Sequence, residues 1–119
     1  MSEGKDCLKS GVIRKVERIV CDCVNKAFCN DKYVPVSPLS LYEGRTNIPL
    51  IKRMARPAVF VVAHDRFGVS YSALEKHSRI RARNIIRSAR MYKDIPCSDS
   101  DVKRINELIE VELKKFPIV

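Results

Sequence analysis

The sequence predicts a single all-α domain with a helix–turn–helix at its centre, and three observations carry that prediction. Apolar residues recur at steps of three and four along several stretches, which is the spacing of one helix face. Proline and glycine fall between those stretches or in their first turns, where they punctuate helices without breaking them. The chain has 119 residues, 45% hydrophobic and 31% charged, which suits one folded core rather than a disordered chain.

Residues 1–11 read as an N-terminal tail. The first helix is expected from Val12 to Phe28, with Ser10 as a candidate N-cap. Val12, Val16, Ile19, Val20, Cys23, Val24 and Ala27 trace its apolar stripe, and Arg14, Lys15, Glu17, Arg18 and Asp22 fill the other side. Residues 30–49 are punctuated by Asn30, Asp31, Pro35, Pro38, Gly44 and Pro49 and read as a loop. Within it, Ser37 as cap and Pro38 at the first helical position suit a short turn of helix reaching Tyr42.

Leu50 to Phe67 is strongly apolar. Its β-branched run Val59-Phe60-Val61-Val62 has strand character, but Pro57 fits a first helical turn far better than a central strand. A helix is therefore predicted, well formed from near Arg56 and ended by Gly68. A short helix follows from Ser70 to His77, then a turn around Ser78 to Arg81. The next helix, Arg81 to Tyr92, turns Ile85, Ile86, Ala89 and Tyr92 inward. Pro96 closes this unit. A final helix from Asp99 to Lys115 carries Val102, Ile105, Leu108, Ile109 and Leu113, with Ser98 to Asp101 as a capping-box-like start. The helix–turn–helix domain thus spans 12–95, and 96–119 form a C-terminal helix packed on it.

Charge points to the partner. The formal net charge is +9 and the isoelectric point is about 9.6, an excess that attracts polyanions. It concentrates between Arg79 and Lys93, where Arg79, Arg81, Arg83, Arg87, Arg90 and Lys93 occur with no acidic residue among them. Placed on the second helix of a helix–turn–helix, such a run suits a DNA major groove, about 12 Å wide. Arginine positions on phosphates and reads guanine, and Asn84 is suited to adenine.

Three stretches resemble a known family. They are Arg56-Pro57-Ala58-Val59-Phe60-Val61-Val62-Ala63, Gly68-Val69-Ser70-Tyr71-Ser72-Ala73-Leu74, and Asn84-Ile85-Ile86-Arg87-Ser88-Ala89-Arg90-Met91-Tyr92. Together they resemble the C-terminal duplex-DNA-binding domain of the bacterial replication initiator DnaA, over residues 12–95. The resemblance implies an all-helical fold, a helix–turn–helix preceded by a long helix, and an arginine, Arg56, that approaches DNA as that helix opens. The family's Gly-Arg-Asp-His-Thr-Thr signature is replaced here by Arg79-Ile80-Arg81-Ala82-Arg83-Asn84. The family's own target sequence therefore does not carry over. No nucleotide-binding motif accompanies the domain.

The expected function is duplex DNA binding in replication initiation or transcriptional control. The candidate DNA-binding residues are Arg56, Arg79, Arg81, Arg83, Asn84, Arg87, Arg90 and Lys93, and Arg45 and Lys52 are weaker candidates in the loop. A protein-interaction adaptor and an RNA-binding module are the alternatives, and the oligomeric state is left open. No catalytic motif, cofactor site or metal site is expected. Cys21 and Cys23 point to different sides of a helix and do not chelate together, although Cys29, His64 and His77 supply further ligand types. His64 and His77 read as surface or hydrogen-bonded residues. Four tyrosines, four phenylalanines and no tryptophan give little basis for stacking single strands. The five cysteines are odd in number and irregularly spaced, which suits free thiols in a cytoplasmic protein. No run of about 18 apolar residues is present, so no membrane span is expected.

Overall fold

The computed structural model describes residues 2–27, 36–38, 41–42, 54–95 and 100–115. Among them the regular secondary structure is helical, with no strand. In chain order these are α1 (Ser2–Ala27), α2 (Arg56–Val61) continued by a π-helical segment (Val62–Arg66), α3 (Tyr71–Ser78), α4 (Ala82–Lys93) and α5 (Ser100–Lys115). The radius of gyration is 13.7 Å, close to the roughly 13.5 Å of a compact chain this long. The loop expected over 30–49 and the start of the helix expected at Leu50 lie largely outside the described residues. So do Arg45, Lys52, Cys29, Pro96, Cys97, Ser98 and Asp99.

The first helix starts at Ser2 rather than Val12, so the expected tail is helical and Ser10 lies inside the helix. Extending an existing helix adds a hydrogen bond per residue without a new nucleus. That gain offsets the cost of about 1 kcal/mol for a mid-helix Gly11. The buried face of α1 is broader than a single stripe. Ile13, Val16, Val20 and Val24 form its centre, and Cys21 and Cys23 are buried at its two edges, about 160° apart. Both edges are covered because α1 packs on α5 and also on α2, the π-helical segment and α3. The same enclosure corrects the sequence reading of Glu17. Expected on the polar face, it is only 4% exposed, because His77 of α3 reaches over it.

Pro57 sits in the first turn of α2, and Pro57, Ala58, Val59 and Phe60 are all buried. The β-branched run is helical because neighbours surround it on several sides, and that burial outweighs local strand preference. Gly68 ends the segment at φ +66°, a conformation that favours glycine. Its N–H donates to the His64 carbonyl at 3.2 Å, and Val69 N–H donates to Ala63 at 3.0 Å. The latter bond spans one residue more than in a standard Schellman ending, as the wider π turn requires.

On α4 the buried face is Ile85, Ala89 and Tyr92, while Ile86 is only half-buried. Tyr92 reaches α5, where its hydroxyl donates to Asn106 Oδ1 at 2.9 Å. Val102, Ile105 and Ile109 turn α5 inward. Its acidic residues are more engaged than a solvated face would be. Glu110 pairs with Arg66 at 2.9 Å, and Glu112 lies between Lys26 and Lys115 at 3.5 and 3.8 Å.

Candidate nucleic-acid interface

The region around α3 and α4 is built by local bonds that the sequence supplies in order. Ser70 caps α3, its Oγ accepting from the Ala73 N–H at 3.1 Å. Leu74 is fully buried beneath the helix. Ser78 closes it, its hydroxyl donating to the Leu74 carbonyl at 2.7 Å and accepting from the Ile80 N–H at 3.2 Å. The three residues Arg79–Arg81 then connect the helices. Arg79 takes the left-handed conformation at φ 63°, and its N–H donates to the Glu75 carbonyl at 2.8 Å. Glu75 also accepts the Ala82 N–H on its carboxylate at 2.7 Å. One residue of α3 therefore fixes both the end of its own helix and the start of α4. The two helices also pack on each other.

This frame brings most of the predicted residues together. Arg79, Arg81, Arg83, Asn84, Arg87 and Arg90 are all exposed. At 100° per residue, Arg83, Arg87 and Arg90 fall within an arc of about 60°, opposite the buried face of α4. Among the described residues, none of the guanidinium groups of Arg79, Arg81, Arg83, Arg87 and Arg90 enters an ion pair. The outer surface of α4 is thus a ridge of free positive charge. The helix has 12 residues, which makes it about 18 Å long.

Arg56 and Lys93 are placed differently. Arg56 is half-buried, and its Nε donates to the Leu41 carbonyl at 2.7 Å. Burial pulls its pKa below the ordinary arginine value. Lys93 lies off the ridge and pairs with Asp65 at 2.6 Å. Hydrogen bonding to that carboxylate pushes the Lys93 pKa up. Both cations have protein partners, in contrast to the ridge arginines.

Behind the ridge, His77 and Glu17 join α3 to α1. The imidazole Nε2–H donates to Glu17 Oε2 at 2.9 Å. The Tyr42 ring meets His77 edge-on, with centroids 5.9 Å apart. Its buried hydroxyl lies near Glu17. Burial, with the nearby Glu17 charge second, pushes its pKa up. His64 donates from Nδ1 to the Val69 carbonyl at 2.9 Å and stacks on Tyr71 with centroids 3.9 Å apart. Each histidine is thereby held in a packing role.

Cys21 and Cys23 are buried free thiols, and burial pushes their pKa values up to about 12 and about 11. Thiols held protonated in this way are poor nucleophiles and poor metal ligands. Among the described residues, no group of three or more His, Cys, Asp or Glu side chains is arranged to hold a metal ion, and no helix is long and apolar enough to cross a membrane.

Sequence reasoning missed three contributors. Met91 is exposed at the border of the ridge, and the wheel position of Met91 about 40° from Arg87 was the available signal. Glu75 caps α4 from outside that helix, which no local pattern announces. The left-handed backbone of Arg79 was also hidden, because glycine or asparagine is the usual residue there. In comparisons with known proteins, no family model, curated protein or solved structure matches the chain.

Proposed function

We propose that this chain binds duplex DNA, with α3 and α4 acting as a helix–turn–helix and α4 as the helix that enters the major groove. The observation that carries the reading is the unpaired arginine ridge, Arg83, Arg87 and Arg90, continued at the turn by Arg79 and Arg81. Five guanidinium groups without carboxylate partners repel one another, and a polyanion relieves that repulsion. A helix about 10–12 Å across fits a groove about 12 Å wide. The sequence resemblance to the replication-initiator DNA-binding domain points the same way, toward replication initiation or transcriptional control. Arg79 and Arg81 are assigned to phosphates at the groove edge, and Arg83, Asn84 and Arg87 to the groove itself. Arg56 and Lys93 contribute as flanking positive charge, because their side chains are already engaged.

Titration of a labelled duplex at several salt concentrations tests this. Affinity should fall steeply with salt, each arginine on a phosphate adding about 0.9 to the slope of log K against log salt. Replacing Arg83, Arg87 and Arg90 together with Ala should abolish most of the binding while the melting temperature stays near wild type. No binding to any duplex at low salt refutes the proposal. Preference for an RNA duplex over the matched DNA refutes it in favour of RNA recognition.

A further inference from the structure

Met91 is 66% exposed, and with Val111 of α5 it is one of the two large apolar side chains left in solvent among the described residues. It lies on the outer surface of α4, about 40° from Arg87 and about 20° from Asn84 around the helix axis. Asn84, Arg87 and Met91 therefore share one strip running along the helix, beside Arg83 and Arg90. Met91 borders the arginine ridge, with Arg87, Ser88, Asp94 and Ile95 one turn away along the helix, and none of these buries its side chain, which stays 66% exposed.

We infer that Met91 is a base-contacting residue that packs on the 5-methyl group of thymine in the major groove; the inference rests on the DNA-binding reading of α4. The groove presents hydrogen-bond donors and acceptors, and the thymine methyl is the apolar feature among them. Methionine suits that contact because it is long, unbranched and polarizable, and adapts to an irregular surface. On the same strip, Asn84 has the two-pronged amide that matches adenine, and Arg87 has the fork that matches guanine. The strip thus carries a separate kind of contact for each of three bases. An apolar pocket on a protein partner fits less well. It would bury Arg87 along with Met91 and would need an acidic partner for it.

The test compares binding of the full chain to two duplexes of one sequence containing every dinucleotide step. One carries thymine and the other deoxyuridine in its place, so that the methyl group is the single difference. For wild type, deoxyuridine should weaken binding about fourfold for each contacted methyl, the ratio equivalent to one buried carbon. Met91→Ala should bind both duplexes equally, at about the wild-type affinity for the deoxyuridine duplex. Met91→Leu, which keeps an apolar side chain, should retain discrimination. If wild type binds both duplexes equally well, or if Met91→Ala discriminates as wild type does, the role of Met91 is overturned while DNA binding stands. If wild type binds neither duplex, the DNA-binding reading itself falls.

Discussion

Replacing Arg79 with glycine should make the protein more stable and a poorer DNA binder. Arg79 holds φ 63° and ψ 21° at the end of α3, and a side chain in the left-handed region costs about 1–2 kcal/mol relative to glycine. Glycine in turn loses about 0.5–1 kcal/mol through the extra freedom of its unfolded chain. The balance is a gain of about 0.5–1 kcal/mol, which for a domain of this size raises the melting temperature by about 2–4 °C. The exposed guanidinium has no partner within the described residues, so its removal forfeits no internal ion pair. In the proposed DNA complex the same change removes one phosphate contact and should lower the salt slope by about 0.9. Arg79→Ala separates the two effects, since it loses the guanidinium but keeps the strained Cβ. It should match Arg79→Gly in binding and wild type in stability. Thermal melts and salt titrations of all three proteins provide the assay. A lower melting temperature for Arg79→Gly, or wild-type salt slopes for both variants, would refute the reasoning.

Other consequences follow from the interior. His77→Ala strands the buried Glu17 carboxylate and should cost about 3–5 kcal/mol in urea melts. Adding Glu17→Gln should recover part of that loss, and strict additivity of the two substitutions would argue against a coupled pair. Cys21, whose thiol burial pushes up to about 12, should resist alkylation at pH 8 in the native protein and react fully once urea is added. The same shift has a sign in stability. The folded chain keeps the Cys21 proton above pH 9 while the unfolded chain releases it. Stability from this group is therefore complete below pH 9 and declines as pH rises toward 12, by at most about 1.4 kcal/mol per pH unit. Cys23 adds to the decline up to pH about 11, and urea midpoints that stay flat from pH 9 to 11 would contradict both shifts.

Much of the helical order was legible because it is written locally. The α3–α4 region has a serine cap at Ser70, a glycine stop at Gly68 and apolar positions Ile85, Ala89 and Tyr92 at helical spacing. Each acts within a few residues of itself, so the local pattern sets both helices within about a turn of where they lie. Glu17 was misplaced for the opposite reason. Its neighbours in sequence put it on a polar face, whereas its surroundings are set by His77, sixty residues away. Ile86 erred the other way, since the inward face of α4 is narrower than its apolar composition.

The sequence by itself determined that this chain is helical, where α2 to α5 lie, and that positive charge gathers between Arg79 and Lys93. Those properties depend on backbone preference, periodicity and composition, which need no knowledge of distant contacts. Only the tertiary structure decided which of those charges are free. Lys93 and Asp65 lie 28 positions apart in the chain and meet at 2.6 Å, and Arg56 is bound to the Leu41 carbonyl. Among the described residues, Arg83, Arg87 and Arg90 are exposed and without ion pairs, because the core takes the opposite side of α4. Whether a cation is spent on the fold or left available to a partner depends on what packing brings beside it, and that is a property of the folded chain.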